Sequence, residues 1–400
     1  MTKKQLYPLK FIPIASRRVW GGNSLIKVLG KDFVEADEDG NEVHLTENDL
    51  IGESWELADM GEQDSLVSNG WLAGNSIGDI METYLDRITG DSAYAWFGRQ
   101  FPLLIKFLDI HQKLSVQVHP DDKVAEQRYD SLGKAEIWYI LDAKPEAKVY
   151  MGFKRETSAQ EFYDACKAGT AHELLNVIHP KKGDTIFITP GTVHAAEGGI
   201  LVAEIQESSD LTFRLYDWGR ENNPATARKM HLEEAIDLIN FDKYDPSLYR
   251  PASSMDDTKV NNTLVRCPQF TVNKLNLRDA LRISPEQIGS YIVYICVSGS
   301  AAINVPKVPV FDDSKAVAAF GTDAMDIYAF RKGDTILVPA DMPDFYLVPT
   351  APGTVLLEAT DGLREDIDEY INPDTTQRPF FFIPGLQVQL ADGPAWFRSV

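Results

Sequence analysis

Cysteine is scarce: Cys166, Cys267 and Cys296 are the only three in 400 residues, far apart and in no CxxC pair. An odd, scattered set builds no disulfide framework; it reads as reduced core thiols and points to the cytoplasm. Positive charge is also short, with 39 Lys and Arg against 60 Asp and Glu, a net charge of −21. Nucleic acid and anionic membranes both require clustered positive charge, so both are excluded as partners. An anionic substrate requires a local cationic pocket set against that global field. No stretch approaches the ~20 apolar residues of a membrane span, and the opening residues 1–8 carry neither an apolar run nor a small-residue cleavage site. No glycine-rich phosphate loop is evident.

What is present is an ordinary soluble composition, 44% hydrophobic and 25% charged, in a chain long enough for two domains. Period-two alternation marks strands at residues 114–119, 135–140, 185–188, 201–206, 291–295 and 354–358. Short strands divided by Gly, Pro and Asp turns predict a mainly β fold of two jelly-roll barrels with a small helical portion. Ser158-Ala159-Gln160-Glu161 is a capping box, opening an amphipathic stretch through Phe162, Cys166 and, after Gly169, Leu174 and Leu175. Residues 77–88 and 232–239 also have helical spacing. The polar stretch 242–257 divides a domain at 1–245 from another at 246–400. Residues 182–186, Lys-Gly-Asp-Thr-Ile, recur at 332–336, and each copy runs on through hydrophobics to a proline, Pro190 or Pro339. The first copy continues to His194; the second has no histidine, so only the first barrel can hold a histidine-ligated metal there.

Strand alternation places Gln117 and His119 on one face, with Leu114, Val116 and Val118 on the other. By the same rule Lys134, Glu136 and Trp138 share a face, and His194 follows a Pro-Gly turn. Imidazole nitrogens with carboxylate and amide oxygens suit Zn2+, with a position left open for water or substrate. The amide adds no negative charge, so the ion keeps its Lewis acidity. His44, His111, His172, His179 and His231 sit in no such motif and read as structural.

The segments Leu-Ser-Val-Gln-Val-His-Pro-Asp-Asp at 114–122 and Lys-Ala-Glu-Ile-Trp at 134–138 resemble the signature of the type I mannose-6-phosphate isomerases. So do Pro-Gly-Thr-Val-His-Ala at 190–195, residues 204–218, and the early segments 18–22 and 52–56. The likeness runs over about residues 7–220. It implies a cupin-type jelly roll with zinc on Gln117, His119, Glu136 and His194, interconverting mannose 6-phosphate and fructose 6-phosphate. Gln117 stands where the common metal-binding cupin pattern has a histidine, which points away from iron oxygenases. Such an oxygenase, and a non-catalytic sugar-phosphate-binding cupin, are the alternative readings.

Moving a carbonyl between C1 and C2 passes through an enediol, so a cation and a proton-carrying group are required. Lys134 is expected to face the metal cavity with a lowered pKa. Arg214 shares a strand face with Thr212 and Tyr216 and needs an anion: Asp210, Asp217, Glu204 or substrate oxygens. The resemblance places Arg214 at the active site. Asp210 either orients Arg214, takes part in proton transfer, or is a turn residue. Lys106 reads as a snorkelling strand-end lysine, and Trp20, Trp55 and Trp138 as core. The sequence is silent on oligomeric state.

Overall fold

The computed structural model describes residues 4–37, 39–308, 312–362 and 381–382. The chain is mainly β and divides into two compact units, neither continuous in sequence. One comprises Ile12–Ser65 and Phe101–Met255; the other comprises Met1–Phe11, Leu66–Gln100 and Asp256–Val400. Among the described residues no helix is long and apolar enough to cross a membrane.

Two large antiparallel sheets form the first unit, with a small hairpin of Val34–Ala36 and Glu42–His44 beside them. In the larger, Glu136–Ala143 lies between Thr185–Ile188 and Ile200–Glu207, and Leu103–Ile110 follows. In the smaller, Val116–Val118 lies between His194–Glu197 and Phe213–Tyr216. Their inner faces meet in one core, where Leu108, Trp138, Ile186 and Val202 pack with Val149, Met151 and Ala196. On the outer face of the smaller sheet, Val116, Val118 and Phe153 cluster with Phe162 and Cys166 of the helix Ala159–Ala168. That helix begins at the expected capping box, where the Ser158 hydroxyl accepts the Glu161 backbone N–H at 3.1 Å. It ends at Gly169, whose φ of +78° favours glycine. Leu174 therefore falls in a separate 3-10 turn and Leu175 opens a strand, beyond the reach of the expected helix.

The second unit repeats this plan. Its larger sheet sets Ile292–Ser298 between Thr335–Val338 and Thr354–Asp361, followed by Phe270–Leu277. Its smaller sheet sets Leu281–Ile283 beside Phe345–Pro349. The helical stretch from residue 77 belongs to this unit as Ile77–Tyr84 and Asp86–Thr89, broken at Leu85, which has φ +54°.

The two copies of Lys-Gly-Asp-Thr-Ile form the same turn. Gly183 and Gly333 have φ of +89° and +92°, and the Asp184 and Asp334 carboxylates accept the backbone N–H of Lys181 and Arg331 at 2.8 and 2.9 Å. From this anchor the registers run in parallel. Ile186 pairs with Trp138, which pairs with Glu204, which pairs with Lys106. Ile336 pairs with Tyr294, then Glu358, then Asn273. His194 pairs with Gln117 and meets Trp138 edge-on; Phe345 pairs with Ile283 and meets Tyr294 edge-on. Glu136 pairs with Ile188, as Ile292 does with Val338. Buried Ile283, Ile292 and Phe345 thus occupy the places of Gln117, Glu136 and His194. Hydrocarbon fills the second unit where the first has polar side chains.

Candidate active site

Val116 and Val118 anchor the short strand to the outer hydrophobic cluster, so Gln117 turns inward and His119 follows it at the strand end. Leu114 precedes the strand and escapes its alternation: it packs with Trp20 and Trp138 in the inner core, not with the two valines. After His119, Asp121 caps the helix Asp122–Tyr129 by accepting the Val124 N–H at 2.8 Å. The chain then returns so that the Lys134 N–H donates to the Pro120 carbonyl at 3.0 Å, which sets Lys134 and Glu136 beside His119. His194 arrives from the Pro190-Gly191 turn, where the Gly191 N–H donates to the His119 carbonyl at 2.9 Å.

The result is a buried group of His119, Glu136 and His194 whose candidate ligand atoms lie within 4.8 Å of one another. His119 Nδ1 lies 2.8 Å from the Leu211 carbonyl, and His194 Nδ1 lies 3.0 Å from the Thr192 carbonyl. A carbonyl only accepts, so each Nδ1 carries the proton and each Nε2 presents a lone pair. Those lone pairs face Glu136: His194 Nε2 is 3.3 Å from Oε1, and His119 Nε2 is 3.6 Å from Oε2. Burial, with Lys134 nearby, lowers the His119 pKa to about 3, so its Nε2 carries no proton toward Glu136. Among the described residues His119 Nε2 and Glu136 Oε1 are buried without a hydrogen-bond donor, and Glu136 Oε2 meets only the Lys134 ammonium. Converging acceptors of this kind, nitrogen and carboxylate together, fit a divalent cation. Gln117 completes the group differently: its amide nitrogen is 3.1 Å from His194 Nε2, while Oε1 accepts from the Ser115 hydroxyl at 3.1 Å. To serve as an oxygen ligand the amide must turn over.

Lys134 Nζ lies 3.2 Å from Glu136 Oε2, and both are buried. Burial favours the neutral amine, but Glu136, Glu204 and Asp210 outweigh it and hold the lysine above its ordinary range. The lowered pKa expected from the sequence assumed a divalent cation beside the lysine; the carboxylates around it act in the opposite direction. Burial likewise favours protonated Glu136, and Lys134 reverses that, keeping the carboxyl well below its usual range.

A cavity of about 340 Å³ opens beside Gln117 and Lys134, with Asp210, Thr212 and Arg214 also in its wall. Arg214 is half-buried; Nη1 donates to the Lys229 carbonyl at 2.7 Å, and Nε has no partner. Burial and the neighbouring Arg228 lower its pKa to about 10. Asp217 does not pair with it, being held by Arg220 and Arg228 at 2.6 and 2.7 Å. Asp210 is exposed and forms no ion pair with Arg214, so it does not orient that guanidinium. Tyr216 leaves the expected shared face, because a bulge between Arg214 and Tyr216 turns the tyrosine into the outer cluster.

Several cavity residues were not assigned to the site from the sequence. Lys106 does not snorkel: it is 3% exposed, 3.7 Å from Glu204 and over the Trp55 ring. Glu204 accepts from Trp138 Nε1 at 2.8 Å, and burial, then Glu136, raises its pKa to about 7. Arg17, Arg18 and Arg228 line the cavity as well, each ion-paired with a carboxylate: Arg17 with Glu35 and Asp49, Arg18 with Glu53, and Arg228 with Asp217. Trp20, Trp138 and His231 line the cavity too. The signal available for Glu204 and Lys106 was a charged residue in the middle of each largely apolar strand.

The model of the phosphomannose isomerase type I catalytic domain matches residues 9–162. Mannose-6-phosphate isomerase ManA of Bacillus subtilis is 29% identical over 85% of this chain and 95% of its own length. The mannose-6-phosphate isomerase of Streptococcus mutans is 30% identical over 81% and 89%. The probable mannose-6-phosphate isomerase GmuF of Bacillus subtilis is 35% identical over 74% and 88%. Among solved structures, mannose 6-phosphate isomerase from Bacillus subtilis matches with a TM-score of 0.67 at 25% identity, covering 88% of this chain and 99% of that one. With its metal-fitting residues, cavity and paired barrels, this chain belongs to the type I phosphomannose isomerase family.

Proposed function

We propose that the protein is a zinc-dependent isomerase interconverting mannose 6-phosphate and fructose 6-phosphate through an enediol. The observation that carries this reading is the convergence of His119 Nε2, His194 Nε2 and the Glu136 carboxylate within 4.8 Å of one another, beside a cavity that also holds Lys134 and Arg214. His119, Glu136 and His194 would hold the ion, with Gln117 as the fourth ligand once its amide turns. When bound, Zn2+ supplies electrostatic stabilisation for charge developing on the sugar oxygens.

The chain's own residues do the remaining work. Arg214, with an unpartnered Nε and like charges at its back, takes the phosphate together with Arg228 and Arg18. Lys134 is positively charged and donates to a sugar hydroxyl or carbonyl oxygen. Glu204, with a pKa of about 7 in the cavity wall, takes the C2 proton and returns one to C1. Asp210 adds to the field of Glu136 and Glu204 that holds Lys134 charged. The first unit carries the chemistry and the second, hydrocarbon-filled at the equivalent positions, supports the fold. This assignment fits a soluble cytoplasmic enzyme.

A coupled assay following fructose 6-phosphate formed from mannose 6-phosphate tests the reading. Turnover that is lost on chelation and restored by zinc is expected. Zinc-loaded protein with no turnover, and no response to chelator, overturns it.

A further inference from the structure

The short segment from Arg228 to His231 fastens Arg214 at three points. Arg214 Nη1 donates to the Lys229 carbonyl at 2.7 Å, the His231 N–H donates to the Arg214 carbonyl at 2.8 Å, and the Arg214 N–H donates to His231 Nδ1 at 3.1 Å. The third bond decides the state of the histidine. A ring nitrogen that accepts a backbone N–H bears no proton, so the neutral imidazole carries its hydrogen on Nε2. Phe213 stands edge-on to the ring at 5.8 Å, and the ring lines the same cavity as Gln117, Lys134 and Arg214. Among the described residues Nε2 makes no hydrogen bond. Burial, with Lys229 and Arg214 nearby against an opposing Glu234, disfavours the imidazolium.

We infer that His231 is a substrate-binding residue whose Nε2–H donates to an anionic phosphate oxygen beside Arg214, adding a directional neutral donor to the arginine cluster. This rests on reading the cavity as a phosphosugar site. A neutral donor is of use there because Arg214 is already crowded by Arg228, Arg18 and Arg220, and a further cation would add to that repulsion.

Two substitutions separate this role from a backbone clamp. In H231N the side-chain oxygen can replace Nδ1 as acceptor for the Arg214 N–H, but nothing replaces the Nε2 donor. In H231Q the amide nitrogen reaches the Nε2 position, and the Nδ1 acceptor is lost. Measured on the zinc-loaded full chain, H231N is expected to raise KM for mannose 6-phosphate about tenfold with kcat little changed, and H231Q to keep KM near wild type. Calorimetric titration with inorganic phosphate provides a readout independent of turnover, with the same order of affinities expected. If wild type turns over no sugar phosphate yet phosphate binding follows this order, the donor role stands and the isomerase reading falls. Normal H231N with impaired H231Q, equal impairment of both, or no change in either overturns the inference; thermal melting of both variants identifies any that fails to fold.

Discussion

Gln117 and His194 lie in register on neighbouring strands, and the Gln117 amide nitrogen sits 3.1 Å from His194 Nε2. One amide thus has two uses: as a donor it caps a buried lone pair, and turned over it becomes a neutral oxygen ligand. Gln117→Leu removes both. Its zinc affinity, measured by competition with a chromophoric chelator, should fall by at least about tenfold, the scale on which even outer-shell partners act. Gln117→Glu should bind zinc as well as wild type or better, yet turn over more slowly, because a second carboxylate lowers the Lewis acidity of the ion. Unchanged affinity in Gln117→Leu would remove glutamine from the ligand set.

Lys134 lies 3.2 Å from Glu136, so its removal takes away the charge that keeps that ligand ionised. Lys134→Met should lower kcat by about 10² to 10³, the range for losing one donor to charge developing on oxygen. The zinc content of protein purified with the metal in excess should remain stoichiometric. Lys134→Arg should not rescue, since a planar guanidinium cannot occupy the place of a compact ammonium. Zinc content falling in step with activity would make Lys134 a support of the ligand and not a participant.

Much of this site was legible because two-residue alternation is strictly geometric: Gln117 leads directly to His119, and Lys134 to Glu136. It failed where the backbone departs from a regular strand. Leu114 lies before the strand begins, and Tyr216 follows a bulge, so both face the side opposite to that expected. The capping box at Ser158 was readable because the cap and its partner are three residues apart. His231 was not, because its role comes from a backbone contact with Arg214, seventeen positions earlier. Lys106 and Glu204 were hidden for a similar reason: charges in the middle of two largely apolar strands become a pair only when those strands are set in register.

Glu204 should leave a mark on the pH dependence of stability in the metal-free protein. Burial first, and then Glu136, raise its pKa from 4.5 to about 7 on folding. The folded state therefore binds this proton more tightly; the stabilisation is complete below pH 4.5 and is lost as pH rises through about 7. His119, lowered to about 3, acts with the opposite sign, losing stability as pH falls from its ordinary 6.5. Asp59, raised to about 6 by burial, acts with the same sign as Glu204. Both are common to wild type and Glu204→Gln, so the difference between the two isolates Glu204. Between pH 5 and 8 the wild-type melting temperature should decline relative to that of Glu204→Gln. Parallel curves would mean that Glu204 is ionised throughout.

The duplicated barrels offer a controlled comparison at one register position. Trp138 Nε1 donates to Glu204 at 2.8 Å in the first unit, and the Tyr294 hydroxyl donates to Glu358 at 3.0 Å in the second. Each donor is buried and each lies opposite its carboxyl on a paired strand. Removing either leaves a carboxyl oxygen with one donor fewer, which costs about 1–3 kcal/mol in a buried setting. The functional consequences should diverge. Tyr294→Phe deletes one hydroxyl among hydrocarbon positions, so denaturant midpoints should fall while kcat and KM stay at wild-type values. Trp138→Phe loosens a carboxyl that faces the cavity and an edge-on contact with His194 at 5.9 Å. It should therefore lower kcat as well as stability, and shift the pH profile as the Glu204 pKa rises without its donor. If Tyr294→Phe slows turnover as much as Trp138→Phe does, the second barrel is not a passive copy, and the chemistry depends on both.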